Sequence, residues 1–65
     1  MEYRVIKASF RRSGKTKYEP QKRSSPEDPW VPLIGPFQNF DSMVTMCKTY
    51  YQVDLRFVPV EEVKR

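Results

Sequence analysis

The apolar and polar positions of the chain follow three different rhythms. From Tyr3 to Arg12 the run Tyr-Arg-Val-Ile-Lys-Ala-Ser-Phe alternates imperfectly, which predicts a strand with Ile6, Ala8 and Phe10 on one face. Ser13-Gly14-Lys15 reads as a three-residue turn in which Gly14 supplies the positive φ of a tight reversal. Thr16 to Glu19 then returns as a second strand that Pro20 stops, giving a hairpin over about residues 3–19. This register sets Phe10 opposite Tyr18 as an aromatic cross-strand pair. A two-residue loop would set Phe10 against Lys17 instead, because a slip of one residue sends Tyr18 to the other face.

A helical period begins further on. At 100° per residue, Phe40, Met43, Val44, Met46, Cys47, Tyr50 and Tyr51 fill one arc, and Asp41, Ser42, Thr45, Lys48, Thr49 and Gln52 fill the other. A helix over about 41–52 follows, with Asp41 or Ser42 as its N-cap. Val53, Leu55 and Phe57 then alternate with Asp54, Arg56 and Val58, predicting a half-buried strand over 53–58 that Pro59 closes. Residues 61–65 read as a charged tail. Between hairpin and helix, residues 20–36 hold five of the six prolines and read as a long, stiff loop. The order β-β-loop-α-β predicts a single α+β domain over residues 1–65, one amphipathic helix lying on one face of a short antiparallel or mixed sheet. The expected core is Ile6, Phe10, Phe40, Val44, Cys47, Tyr51, Val53, Leu55 and Phe57.

Composition narrows the chemistry. The chain has 65 residues, no His and one Cys. A core of this size supplies only about 3–5 kcal/mol. Cys47 has no partner for an internal disulfide, and the absence of His removes the usual zinc ligands and the usual general base. Cys47 lies on the apolar arc with no base to activate it, as expected of a buried thiol. The adjacent pairs Glu27-Asp28 and Glu61-Glu62 do not converge on a common point. Ser13-Gly14-Lys15-Thr16 is similar to the end of a phosphate loop but lacks the upstream glycine and the following helix. No catalytic, cofactor-binding or metal-binding residue is therefore expected, and the protein is read as no enzyme. With no apolar run near the roughly 18 residues of a membrane span and no apolar leader after Met1, the expectation is a soluble, cytoplasmic protein.

Charge supplies the functional expectation. Residues 1–23 carry eight basic and two acidic side chains, a net of +6, while residues 24–65 carry a net of −2. Such asymmetry points to an anionic partner. Arg11, Arg12, Lys15 and Lys17 flank the predicted turn and form the expected centre of the partner site, with Arg4 and Lys7 along the first strand. Trp30, in the proline-rich loop, either covers the open edge of the sandwich with Leu33 and Ile34 or serves as an interface anchor. The favoured partner is a larger host protein with an acidic surface. Nucleic acid is the alternative, since Tyr3, Phe10 and Tyr18 interleave with cations as in single-strand-binding sheets. A small virion assembly protein is a further alternative, disfavoured by the lack of a long arm or coiled-coil repeat. No membrane and no small-molecule substrate is expected.

A basic strand, a long loop bearing Trp30, the helix Phe40–Tyr51 and the run Val53-Asp54-Leu55-Arg56-Phe57-Val58-Pro59 together resemble small host-takeover proteins of bacteriophages, in architecture the RNA-polymerase inhibitors of T7-like phages. The likeness to the RNA-polymerase inhibitors lies in the helix Phe40–Tyr51 and the run from Val53 to Pro59, about a third of the chain, and rests on element types. It implies an inhibitor or modulator of a host protein, such as a nucleic-acid-handling or defence complex, and makes Arg56 a strand arginine facing an acidic partner. The chain departs from these proteins in placing most of its basic residues in the first 23 positions.

Overall fold

The computed structural model describes all 65 residues. It contains β1 (Glu2–Ser9), β2 (Thr16–Arg23), β3 (Val31–Pro32), the helix α1 (Phe40–Tyr51), a 3₁₀ turn (Leu55–Phe57) and β4 (Val60–Lys64). The strands form one mixed sheet in the order β3-β2-β1-β4, antiparallel except for the parallel β1–β4 pair. The helix packs on one face of this sheet, so the protein is an α+β domain of two layers.

The hairpin register differs from the expected one. Phe10 N–H donates to the Lys15 carbonyl at 2.9 Å, and Gly14 N–H donates to the Phe10 carbonyl at 2.8 Å. These bonds close a turn over Arg11–Gly14, with Gly14 at its end in the left-handed region (φ +67°). Tyr18 consequently pairs with Lys7, not with Phe10. That odd shift turns Tyr18 to the face of Val5, where its ring meets Phe40 edge-on at 5.5 Å. The core forms on the same face, from Val5, Met43, Val44, Cys47 and Leu55. Ile6 and Ala8 are buried on the opposite, helix-free face, flanked by Glu19 and Glu61 and by Lys17 and Val63 respectively. The aliphatic stems of these neighbours shield them from water.

Pro20 does not stop β2; the strand runs on to Arg23 with Pro20 almost fully buried opposite Val5. The reason lies in its direction. Tyr18 and Phe37 exchange backbone hydrogen bonds (2.7 and 2.9 Å), so alternate residues of β2, Pro20 among them, turn their N–H and C=O away from β1. The missing donor thus faces a two-residue bulge between Pro32 and Phe37, and the Pro20 carbonyl is satisfied by Leu33 N–H at 2.9 Å. The expected loop 20–36 thus gives residues 20–23 to β2 and 31–32 to β3, and remains loop over 24–30 and 33–36. Its bulge lays Leu33 and Ile34 against the core, helped by Gly35 (φ +102°), where any Cβ would stand 2.8 Å from the Phe37 ring.

The helix starts one residue early. Asn39, rather than Asp41 or Ser42, is the N-cap, its Oδ1 accepting from Ser42 N–H at 3.0 Å. Gln52 closes the other end in the left-handed region (φ 58°). That reversal overrides the alternation expected over 53–58. Asp54 caps a 3₁₀ turn by accepting from Arg56 N–H at 3.0 Å, which buries Leu55 completely and leaves Phe57 87% exposed. Phe57 and Tyr51 are thus surface residues and not core, and Met43 takes a core place the sequence reading left empty. The last strand is β4, over the expected charged tail.

Candidate anion-binding site

The hairpin turn places Arg11, Arg12 and Lys15 at one end of the sheet, all exposed. Lys17 extends the group along β2, its Nζ 6.0 Å from the centre of the Phe10 ring. The parallel strand β4 adds two cations that sequence reasoning assigned to a loose tail. Arg65 N–H donates to the Ser9 carbonyl at 2.7 Å, and the Arg65 carbonyl accepts from Arg11 N–H at 2.9 Å. Lys64 and Arg65 are held by the ladder beside the turn. An open depression of about 380 Å³, lined by Phe10, Arg11, Lys15 and Lys64 among others, lies between them. None of these six cations makes an ion pair; the salt bridges of the chain are Arg4–Glu61 and Arg23–Glu2. The signal for β4 was faint, since Val60 and Val63 are spaced three apart and break the period of two.

Arg4 and Trp30, also expected in the partner site, lie at the other end of the helix-free face. Arg4 Nε donates to Gln21 Oε1 at 2.7 Å and its Nη1 lies 3.3 Å from Glu61 Oε2. Arg23 grips Glu2 with both Nε (2.9 Å) and Nη2 (3.3 Å) and donates to the Pro26 carbonyl at 3.2 Å. Both guanidinium carbons sit over the Trp30 ring, 4.4 and 4.3 Å from its centre. Trp30 neither caps the hydrophobic core nor presents a bare ring; it is clasped by the two arginines. The strand rise sets this cluster about 25 Å from the turn. Lys7 lies on the helix-bearing face between Tyr18 and Glu62. Arg56 sits in the 3₁₀ turn, not in a strand, near the start of β4 and away from the hairpin tip.

The remaining chemistry is sparse. Cys47 is fully buried and burial pushes its thiol up from the ordinary value of 9.0. The chain brings no three Cys, Asp or Glu side chains together in a metal-holding group, and no helix is long and apolar enough to cross a membrane. No family model, curated protein or solved structure matches the chain.

Proposed function

We propose that the protein is a non-enzymatic binding module that docks the basic end of its sheet, centred on Arg11, Arg12, Lys15 and Lys17, onto an acidic surface of a larger host protein, as an inhibitor or modulator of the kind its phage resemblance implies. The observation that supports this is the unpaired state of the cations at the tip, beside carboxylate-paired arginines at the other end of the same sheet. Two features favour an acidic protein over nucleic acid. The largest aromatic on the open face, Trp30, already holds Arg4 and Arg23 within 4.4 and 4.3 Å of its ring centre, so a stacking base would have to compete with these cations. The helix turns its apolar side to the sheet and carries Lys48 as its one basic residue, unlike a helix that enters a major groove.

Replacing both Arg11 and Arg12 by Glu is expected to weaken partner binding at least about tenfold while leaving the fold intact. The assay is capture from nuclease-treated host lysate by wild type and double variant side by side, followed by a salt titration of the captured complex. Retention of an acidic protein by wild type alone, with a gentle salt dependence, supports the reading. Binding lost on nuclease treatment, or a log–log salt slope near about −0.9 per phosphate contacted, identifies nucleic acid instead. Equal capture by both proteins would refute a role for the turn.

A further inference from the structure

The outer edge of β4 is an unpartnered strand edge, and its sequence fits one occupant. Pro59 offers its carbonyl to Val5, and Arg65 bonds Ser9 and Arg11 through both backbone groups. Odd-numbered residues of β4 therefore face β1, and Val60, Glu62 and Lys64 turn N–H and C=O outward. An edge of this kind invites strand addition unless its side chains oppose it. The side chains here are Val60-Glu61-Glu62-Val63-Lys64-Arg65, two acids followed, after a valine, by two bases.

We infer that this edge pairs with β4 of a second copy of the chain, antiparallel, about a two-fold axis through Val63. Outward-facing residues must meet outward-facing residues, which restricts the register to a few choices. Centring on Glu62 or Glu61 sets that acid against itself, and centring on Lys64 does the same for a base. Centring on Val63 sets Glu62 against Lys64 of the second copy and Glu61 against its Arg65, each pair occurring twice by symmetry. Every charge of the strand then meets its opposite, and Val63 meets Val63 on the helix-free face as a close, non-hydrogen-bonded pair. Glu61, already 3.3 Å from Arg4, gains a second guanidinium. The result is a continuous eight-stranded sheet in which Arg11, Arg12, Lys15 and Lys17 stay outside the pairing. The contact is small, so the association is weak and concentration-dependent.

Sedimentation velocity from about 10 µM to about 1 mM tests this, with the wild type expected to shift from monomer to dimer across the range. Glu62→Lys should weaken the dimer at least about tenfold, and the swap Glu62→Lys with Lys64→Glu should restore it, because the register then pairs Lys with Glu again. Val63→Cys provides a readout independent of charge: on oxidation it should give a covalent dimer, since non-hydrogen-bonded partners stand within disulfide reach. Val60→Cys, which this register places beyond the partner's Arg65, should cross-link far more slowly. A wild type monomeric at about 1 mM, a swap that fails to restore association, or equal cross-linking at positions 60 and 63 would each overturn the inference.

Discussion

Truncating Leu55 and Phe57 to alanine, one at a time, distinguishes a 3₁₀ turn from a strand at the same positions. In a strand the two side chains share a face and lose comparable burial. In a 3₁₀ turn, at about 120° per residue, they point roughly 120° apart. Leu55 is fully buried against Val5, Met43, Val44 and Cys47, whereas Phe57 is 87% exposed. Loss of a buried leucine side chain costs about 2–5 kcal/mol, the upper part arising where the cavity does not collapse. Set against the roughly 3–5 kcal/mol a core of this size supplies, Leu55→Ala removes most of the stability. Phe57→Ala should stay within about 0.5 kcal/mol, as for other surface changes. With a urea dependence near 1 kcal/mol per molar, the midpoint should fall by about 2 M or more for Leu55→Ala and by less than about 0.5 M for Phe57→Ala. Far-ultraviolet circular dichroism across a urea series measures both. Equal losses would refute the turn and restore the alternating strand.

Two further outcomes follow from the backbone and from burial. Gly35→Ala should lower the melting temperature more than Gly14→Ala: both residues have positive φ, but a Cβ at 35 meets the Phe37 ring at 2.8 Å while one at 14 meets open space. Because burial raises the Cys47 thiol above 9.0, the folded chain holds that proton more tightly than the unfolded one; its contribution to stability is complete below that value and is lost as pH rises through the raised one. The fall in urea midpoint between about pH 8 and about pH 10.5 should therefore be shallower in Cys47→Ala than in wild type.

The helix was legible because its apolar arc spans twelve residues, enough turns for the period to speak for itself. The first strand and the presence of a turn at Gly14 were legible for similar local reasons. The hairpin register was not, since it depends on which face the helix covers: Val5 opposite Pro20, with Tyr18 meeting Phe40, outweighs a Phe10–Tyr18 pair. Pro20 misled because a proline breaks a strand only where its missing N–H would have found a partner, and here a bulge lies opposite. The stretch after the helix failed by a different route. Val53, Leu55 and Phe57 do alternate, but the left-handed Gln52 and the Asp54 cap impose a local turn that the period of two cannot reveal. For the candidate site, the turn cations were visible as a charge cluster, whereas Lys64 and Arg65 joined them only through a parallel ladder whose partner lies more than fifty residues away in sequence.

The two ends of the sheet show what the basic residues do for the fold and what they do not. A two-layer domain with one helix leaves one sheet face without a hydrophobic cover. At the Trp30 end, the covering is made from charge. Arg4 and Arg23 keep side-chain exposures of 23% and 22%, pair with Glu61 and Glu2 respectively, and set their guanidinium carbons 4.4 and 4.3 Å from the indole ring centre. Exposed ion pairs alone contribute little, about 0–1 kcal/mol, but here the same groups also shelter a large ring. At the turn end no carboxylate neutralises Arg11, Arg12, Lys15, Lys17, Lys64 and Arg65, although the chain has eight acidic residues to place. Like charges gathered within a Debye length repel, and solubility would be served as well by spreading them. The concentration of cations at the turn therefore works against folding, and the contact of Lys17 with the Phe10 ring at 6.0 Å offsets little of that repulsion. Because the arginines of the Trp30 cluster already have their carboxylate partners, the turn is the surface on which to test the partner binding proposed above.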